Sequence, residues 1–176
     1  TCELVLLHLP RGRMLQEDVL RLSAAVLKPG GKLVFIGAKK EGVKTALKTA
    51  RHIFGYAGIV AHKGGYHIGR AQRPAGDFPL PHLDFNRVNI SVNGEPTDLL
   101  SCTGVFAAGK LDGGTAALIT SMENLRGCKV LDMGCGTGLV GLSAARQGAE
   151  VTWSDVSLRA VVSTQKTLEA NGFASG

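Results

Sequence analysis

The residues of this chain whose types and spacing could do chemistry lie in one segment of its C-terminal part. Residues 130–138 read V-L-D-M-G-C-G-T-G, and Asp155 directly follows a second apolar segment, V-T-W-S. Asp132 ends the first apolar segment, and three alternating glycines come next: Gly134, Gly136 and Gly138. Glycine lets backbone approach a ligand closely, and the helix expected after the loop begins with unpaired N–H groups. An acid at the end of the second strand can accept the hydroxyls of a ribose. The pattern predicts a nucleoside-binding crevice.

Three interpretations of this loop are open. Residues 136–141 formally match G-x-G-x-x-G, with Asp155 placed 19 residues after Gly136, as in a dinucleotide site for NAD. Residues 132–138 also match D-x-G-x-G-x-G at every position, a form typical of S-adenosylmethionine (SAM) sites, with Cys135 inside the loop. The third interpretation is a structural turn without a ligand. Because the spacing from acid to glycine is the more specific feature, the sequence favours SAM.

Composition excludes several classes of protein. The chain has 176 residues, of which 44% are hydrophobic and 19% charged, as expected for a soluble globular protein of one or two domains. No apolar run approaches the roughly 20 residues that span a bilayer, and no signal peptide is present, so we expect no membrane association. The four cysteines are scattered and do not cluster with histidines. A metal site is therefore not expected. The same scattered cysteines lead us to expect a reducing, cytoplasmic setting.

Charge is divided unequally along the chain. Residues 1–75 contain 13 Lys and Arg against 4 Asp and Glu, a net charge of +9, whereas residues 76–176 contain 7 against 10, a net charge of −3. A basic surface of this kind is suited to a polyanion, although an ordinary solvated surface has the same composition. Lys44, Lys48 and Arg51 line one face of a predicted helix.

Hydrophobic periodicity predicts alternating strands and helices on either side of a proline-rich linker at residues 74–84. Before the linker we expect strands at Cys2–Leu9, Lys32–Gly37, Ile59–His62 and Tyr66–Arg70, with helices at Met14–Leu27 and 42–54. After it we expect a hairpin, Phe85–Val92 and Pro96–Cys102 around Asn93-Gly94, strands Cys128–Asp132 and Glu150–Ser154, and helices Thr115–Leu125, Leu139–Gln147 and Ser157–Asn171. This alternation predicts an α/β fold with a mostly parallel sheet, helical crossovers and a closing antiparallel pair in the first segment.

The segment 37–45, G-A-K-K-E-G-V-K-T, comes near to a phosphate-binding P-loop. The P-loop needs Gly-Lys-Ser/Thr without an insertion. Val43 shifts the lysine and the hydroxyl by one position, about 100° around a helix. We therefore interpret the segment as a turn between a strand and a helix.

Three stretches resemble class I SAM-dependent methyltransferases of the "methyltransferase small" group, and in particular the ribosomal RNA small subunit methyltransferase C family. Residues 104–112, G-V-F-A-A-G-K-L-D, are similar to a family segment that crosses the cofactor pocket, with Ala107 where serine is common. Residues 130–138 resemble the SAM loop, and residues 154–157 with 168–172 resemble the second strand and the helix after it. The resemblance implies that Phe106, Lys110 and Asp112 join the loop residues and Asp155 in binding SAM.

The resemblance also implies two Rossmann-like methyltransferase domains in tandem, both incomplete here. Residues 1–75 resemble the C-terminal half of a degenerate domain, residues 76–102 form a linker and hairpin, and residues 103–176 resemble the SAM-binding part of the catalytic domain. Family members methylate the exocyclic N2 of a guanine in 16S rRNA. Their catalytic N-P-P-F or N-P-P-Y motif has no counterpart in this sequence, so the chain is expected to be a truncated piece and no catalytic residue can be assigned.

The resemblance makes ribosomal RNA the expected partner and Lys44, Lys48 and Arg51 candidates for contacting its phosphates. Methyl transfer would proceed by direct attack of the base amine on SAM, without a metal. A non-catalytic module that binds RNA or SAM is the main alternative for the chain as it stands. An NAD-dependent oxidoreductase is the other alternative.

Overall fold

The computed structural model describes residues 1–105 and 109–173, and the chain divides into two compact units, Thr1–His82 and Leu83–Gly176. The first unit contains β1 (Cys2–His8), α1 (Arg13–Val26), β2 (Leu27–Ala38), a short 3-10 turn (Lys39–Glu41), α2 (Val43–Phe54), β3 (Ala57–Lys63) and β4 (Tyr66–Gln72). The second contains β5 (Phe85–Val92), β6 (Glu95–Cys102), α3 (Gly113–Thr120), β7 (Lys129–Met133), α4 (Leu139–Arg146), β8 (Glu150–Ser154) and α5 (Leu158–Ala170).

The four strands of the first unit form one sheet in the order β1-β2-β4-β3. β1 and β2 are parallel, whereas β4 is antiparallel to both β2 and β3 because it returns between them after a Gly64-Gly65 turn. With the hairpin β5-β6 and the parallel pair β7-β8, the described residues contain two parallel and three antiparallel strand pairs. The α/β fold and the antiparallel closing pair are confirmed, but the four-stranded sheet is mixed rather than mostly parallel.

The core of the first unit lies between the sheet and the two helices. Phe35 on β2 is fully buried, and its ring lies directly over Gly69 on β4, where an added Cβ would be 2.1 Å from the ring. Leu20 of α1 and Val43 of α2 are also fully buried in this cluster. Leu6 on β1 lies outside this core, and its side chain is 74% exposed.

Helix α3 differs from its predicted position. We expected a helix over Thr115–Leu125, whereas α3 spans Gly113–Thr120. The carboxylate of Asp112 accepts hydrogen bonds from the backbone N–H groups of Gly114 and Thr115, so it acts as the N-cap. This cap starts the helix earlier than the apolar pattern indicates.

The hairpin of β5 and β6 lies within the second unit, Leu83–Gly176. Its turn is the expected Asn93-Gly94, with Asn93 at φ 51° and Gly94 at φ 84°. One edge of β6 pairs with β5, and the other edge pairs with side chains of α5. The pairs are Asp98 with Asn171, Leu100 with Thr167, and Cys102 with Ser163.

We call these three side chains, Ser163 and Thr167 of α5 and Asn171 at its C-cap, the edge ladder. The Thr167 hydroxyl accepts from the Leu100 N–H at 3.0 Å and donates to the Leu100 carbonyl at 3.1 Å. The Asn171 amide makes the same two contacts with the main chain of Asp98, at 3.1 and 2.7 Å. Four residues of helix rise about 6 Å and two residues of strand about 6.6 Å, so the two repeats match. The edge ladder therefore takes the place of a neighbouring strand.

Candidate functional site

A cleft of about 260 Å³ opens at the carboxyl ends of β7 and β8, inside the second unit. The loop after β7, the residue that follows β8 and the segment before α3 line it. The lining residues are Gly104, Val105, Lys110, Asp112, Thr115, Asp132, Gly134, Cys135, Gly136, Thr137, Leu139, Val140, Asp155, Ser157 and Ala160. The fold thus brings together most of the residues that the sequence assigns to cofactor binding. Gly138 does not line the cleft, and Phe106 lies outside the described residues.

The glycine loop depends on left-handed backbone. Gly134, Gly136 and Gly138 have φ angles of 77°, 58° and 82°, which side chains with a Cβ rarely adopt. The carbonyl of Ser154, the last residue of β8, accepts the N–H groups of Gly134 at 2.7 Å and of Cys135 at 3.0 Å. This pairing fixes the loop across the ends of both strands.

Gly138 supports the loop by packing rather than by lining the cleft. A Cβ at Gly138 would lie 2.8 Å from the Thr164 methyl group on α5. The Thr164 hydroxyl lies 3.3 Å from the sulfur of Cys135 and 3.2 Å from the carbonyl of Gly136. Thr164 of α5 therefore supports the glycine loop through these contacts, a role that no pattern in the sequence indicates.

Asp155 joins the loop to the start of α5. One carboxylate oxygen accepts the Gly136 N–H at 3.0 Å, and the other accepts the Ser157 N–H at 2.8 Å. These hydrogen bonds hold the pKa of Asp155 below its usual value, and the bond from Ser157 has a larger effect than the bond from Gly136. Each oxygen retains further acceptor capacity toward the cleft. Asp155 is therefore an ionised acceptor that lines the cleft.

Asp132 has the opposite electrostatic environment. It is only 7% exposed, and its carboxylate accepts the Gly141 N–H of the first turn of α4 at 2.8 Å. Burial raises the pKa of Asp132, the Gly141 N–H opposes the rise, and the nearby charge of Asp155 adds to it. Burial also raises the pKa of the Cys135 thiol. Asp132 thus connects the end of β7 to α4, while its carboxylate still borders the cleft.

The segment before α3 forms another part of the cleft wall. Lys110 and Asp112 both line the cleft, as the family resemblance implies. The Asp112 carboxylate is already used as the N-cap of α3, and the hydroxyl and N–H of Thr115 lower its pKa. Asp112 consequently shapes the wall, whereas Lys110 contributes a cation.

The charges in the cleft separate the two nucleotide interpretations. Asp112, Asp132 and Asp155 oppose a single ammonium, that of Lys110. Such a site disfavours the pyrophosphate of a dinucleotide and favours a ligand with positive charge. The N–H groups of Gly136 and Gly141, which could otherwise bind phosphate, are taken by the carboxylates of Asp155 and Asp132.

The residues predicted to contact RNA lie in the other unit, on α2. Lys44 and Lys48 are exposed. Arg51 is exposed too, but its Nε donates to the carbonyl of Ala57 at 2.9 Å. No described helix is long and apolar enough to cross a membrane. Residues 1–105 and 109–173 also contain no group of three or more His, Cys, Asp and Glu placed to hold a metal ion.

Comparison with known proteins agrees with the geometry of the cleft. Residues 96–175 match the methyltransferase small domain. The matched residues contain β6 from its second residue onward, the glycine loop, Asp155 and α5, which contribute to the cleft and the edge ladder.

Relatives in sequence and in structure extend beyond the methyltransferase small domain. Ribosomal RNA small subunit methyltransferase C of Stutzerimonas stutzeri is 34% identical over 174 residues, which cover 95% of this chain and 51% of that protein. The corresponding protein of Hahella chejuensis is 33% identical over 173 residues, covering 96% and 50%. A T. thermophilus 16S rRNA N2 G1207 methyltransferase, solved in complex with AdoMet and guanosine, superposes with a TM-score of 0.88 at 35% identity, covering 97% of this chain and 48% of that one. The chain therefore has the α/β methyltransferase fold and spans about half the length of the relatives it matches.

Proposed function

We propose that the cleft of the second unit binds SAM, and that the chain is the methyl-donor part of an RNA methyltransferase. The observation that carries the proposal is Asp155, an ionised carboxylate fixed by Gly136 and Ser157 at the mouth of a glycine loop. The T. thermophilus structure, whose ligands are AdoMet and guanosine, supports the same assignment.

The empty space around the loop fits a ligand of this kind. A Cβ added at Gly134 would meet no atom within 4 Å, and one at Gly136 would meet only a carbonyl at 3.9 Å. Side chains at these positions would therefore extend into open space beside the loop rather than into protein. Val105, Val140 and Ala160 supply apolar contacts suited to an adenine ring.

Each residue of the cleft has a distinct task in this proposal. Asp155 would accept the ribose hydroxyls, and Asp132 would attract the ammonium group of the methionine part while it holds α4. When bound, SAM supplies a methyl group on a sulfonium cation, and the excess of carboxylates in the cleft favours that cation. Catalysis would then depend on orienting donor and acceptor, which is worth several kcal/mol when the groups are well placed.

We propose further that the whole protein methylates the N2 of a guanine in 16S rRNA and acts in the cytoplasm. Relatives named ribosomal RNA small subunit methyltransferase C support this substrate. The test is transfer of an isotopically labelled methyl group from SAM to 16S rRNA by the full protein, followed by nucleoside analysis. N2-methylguanosine as the labelled product is expected, and a different methylated nucleoside would overturn the proposal.

Calorimetric titration with SAM and with NAD tests the donor site in the chain itself. We expect heat of binding from SAM only, and its loss in Asp155→Ala. Asp84→Ala removes an exposed acid that does not line the cleft and is the matched control. A SAM signal that survives Asp155→Ala would refute the assignment of Asp155, and a signal from NAD alone would support the oxidoreductase. If SAM binds but the full protein transfers no methyl group, the alternative of a non-catalytic SAM-binding module is correct.

A further inference from the structure

The carboxyl-terminal edge of the sheet in the first unit collects cations from three separate segments. β1 and β2 are parallel, and β3 runs in the same direction as β2 because both are antiparallel to β4. All three strands therefore end at one edge, at residues 10–13, 39–44 and 63–66. We call these segments the basic edge. They contain six cations, Arg11, Arg13, Lys39, Lys40, Lys44 and Lys63, and one acid, Glu41.

Hydrogen bonds show that the three segments are neighbours. The backbone N–H of Lys39 donates to the carbonyl of Gly65 at 2.8 Å. The side chain of Gln16 donates to the carbonyls of Pro10 and Glu41, both at 2.8 Å. The cations are therefore close in space although they are up to about 50 residues apart in sequence.

The charge of the basic edge is largely uncompensated. Arg11 pairs with Glu41, and its side chain is nevertheless 88% exposed. Lys39, Lys40, Lys44 and Lys63 are all exposed, and no carboxylate of the described residues forms an ion pair with them. Two exposed cations elsewhere in the same unit do have carboxylate partners: Lys28 pairs with Glu3, and Arg21 with Glu17. Like charges held together at one edge repel each other unless a polyanion neutralises them.

An exposed aromatic ring stands among these cations. Tyr66 is 45% exposed and begins β4, where it is paired in register with Lys63 on one side and Ala38 on the other. Residues paired across antiparallel strands share a face, so Tyr66 and Lys63 are side by side. Basic side chains beside an aromatic platform are typical of surfaces that bind phosphates and stack an unpaired base.

We infer that the basic edge is the surface on which the first unit binds RNA, with the phosphodiester backbone along Lys39, Lys40 and Lys63 and an unpaired base on Tyr66. This inference deepens the proposed function and rests on it for the choice of RNA as the polyanion. It also changes the expected RNA surface on α2. Lys44 lies in the basic edge, whereas Lys48 and Arg51 lie further along the helix.

The test compares two triple variants of the same chain that remove equal charge. One is Lys39→Gln, Lys40→Gln, Lys63→Gln in the basic edge. The other is Lys28→Gln, Lys32→Gln, Arg70→Gln, which neutralises exposed cations of the same sheet outside that edge. Binding to a fluorescently labelled oligouridine is measured by anisotropy at several salt concentrations. Loss of three phosphate contacts should lower the slope of log K against log salt by about 2, which corresponds to roughly 100-fold weaker binding at about 0.1 M salt.

The outcomes separate this inference from the donor site. Equal effects of the two triple variants, or no binding of oligouridine by the unaltered chain, would overturn it. Displacement of the RNA by polyglutamate, together with no effect of Tyr66→Ala, would show an acidic-protein surface instead and also overturn it. SAM titrations on the same variants should be unchanged. If SAM does not bind at all while oligouridine binding still depends on the basic edge, this inference stands and the donor assignment fails.

Discussion

Replacing Thr167 by valine tests whether the edge ladder holds the second unit together. The hydroxyl of Thr167 is fully buried and satisfies both the N–H and the carbonyl of Leu100. Valine has nearly the same shape but can satisfy neither group. A buried backbone group left without a partner costs about 1–3 kcal/mol, so the loss should be at least about 2 kcal/mol. With a urea m-value of about 1–3 kcal/mol/M, the unfolding midpoint should fall by roughly 1 M.

The chain contains a convenient probe and a matched control for this measurement. Trp153 is its only tryptophan and lies on β8, so its fluorescence reports unfolding of the second unit. Thr120→Val removes an exposed hydroxyl that bonds only within α3, and it should change stability by less than about 0.5 kcal/mol. Thr167→Ser should restore most of the loss because the hydroxyl remains. A midpoint for Thr167→Val equal to that of Thr120→Val would refute the argument that α5 closes the edge of β6.

Three further predictions concern the cleft. Gly138→Ala should lower both the unfolding midpoint and SAM affinity, because φ is 82° and the new Cβ would lie 2.8 Å from Thr164; an unaltered midpoint would contradict this. Burial raises the folded-state pKa of Asp132 above its unfolded value, so this group favours the folded state more as the pH falls through the folded-state pKa. Asp132→Asn should therefore raise the free energy of unfolding at neutral pH, lose that advantage in acid and weaken SAM binding. Urea midpoints at both pH values measure the stability, and calorimetry measures the binding. A variant less stable than the parent at neutral pH would contradict the prediction. Cys128 is exposed whereas Cys135 is buried with a raised pKa, so a thiol reagent followed by peptide mass spectrometry should modify Cys128 first, and equal rates would count against the buried loop.

The parts of the site that could be predicted from sequence are local ones. Asp132 and the three glycines up to Gly138 lie within seven consecutive residues. The turn needs glycine because of its own backbone conformation, independently of contacts with distant segments. Asp155 was predictable for the same reason, since it directly follows an apolar strand. The bounds of β5 and β8 agree with the prediction, and β6 begins one residue earlier than predicted, at Glu95. The hairpin follows from alternation and from a strong turn signal at Asn93.

The missed parts depend on contacts between distant segments. Ser163 and Thr167 are polar residues on the buried face of a helix, and their partners are backbone groups more than sixty positions earlier. No local pattern identifies the strand that they pair with. The contact between the hairpin and α5 could therefore not be predicted from the sequence. The mixed sheet of the first unit has the same cause, because periodicity predicts that β4 exists but not which strands it lies between.

The position of β4 has a consequence for synthesis on the ribosome. β3 forms a sheet pair only with β4 among the described strands, and β4 is the last strand of its unit to be made. Until Gln72 has emerged, the strand from Ala57 to Lys63 has two open edges, and β2 lacks its antiparallel neighbour. Translation at about 5–20 residues per second makes this interval on the order of a second, during which only β1, α1 and α2 can pack against β2. A slow codon just after β3 would lengthen the interval, and rapid translation through the Gly64-Gly65 turn would shorten it.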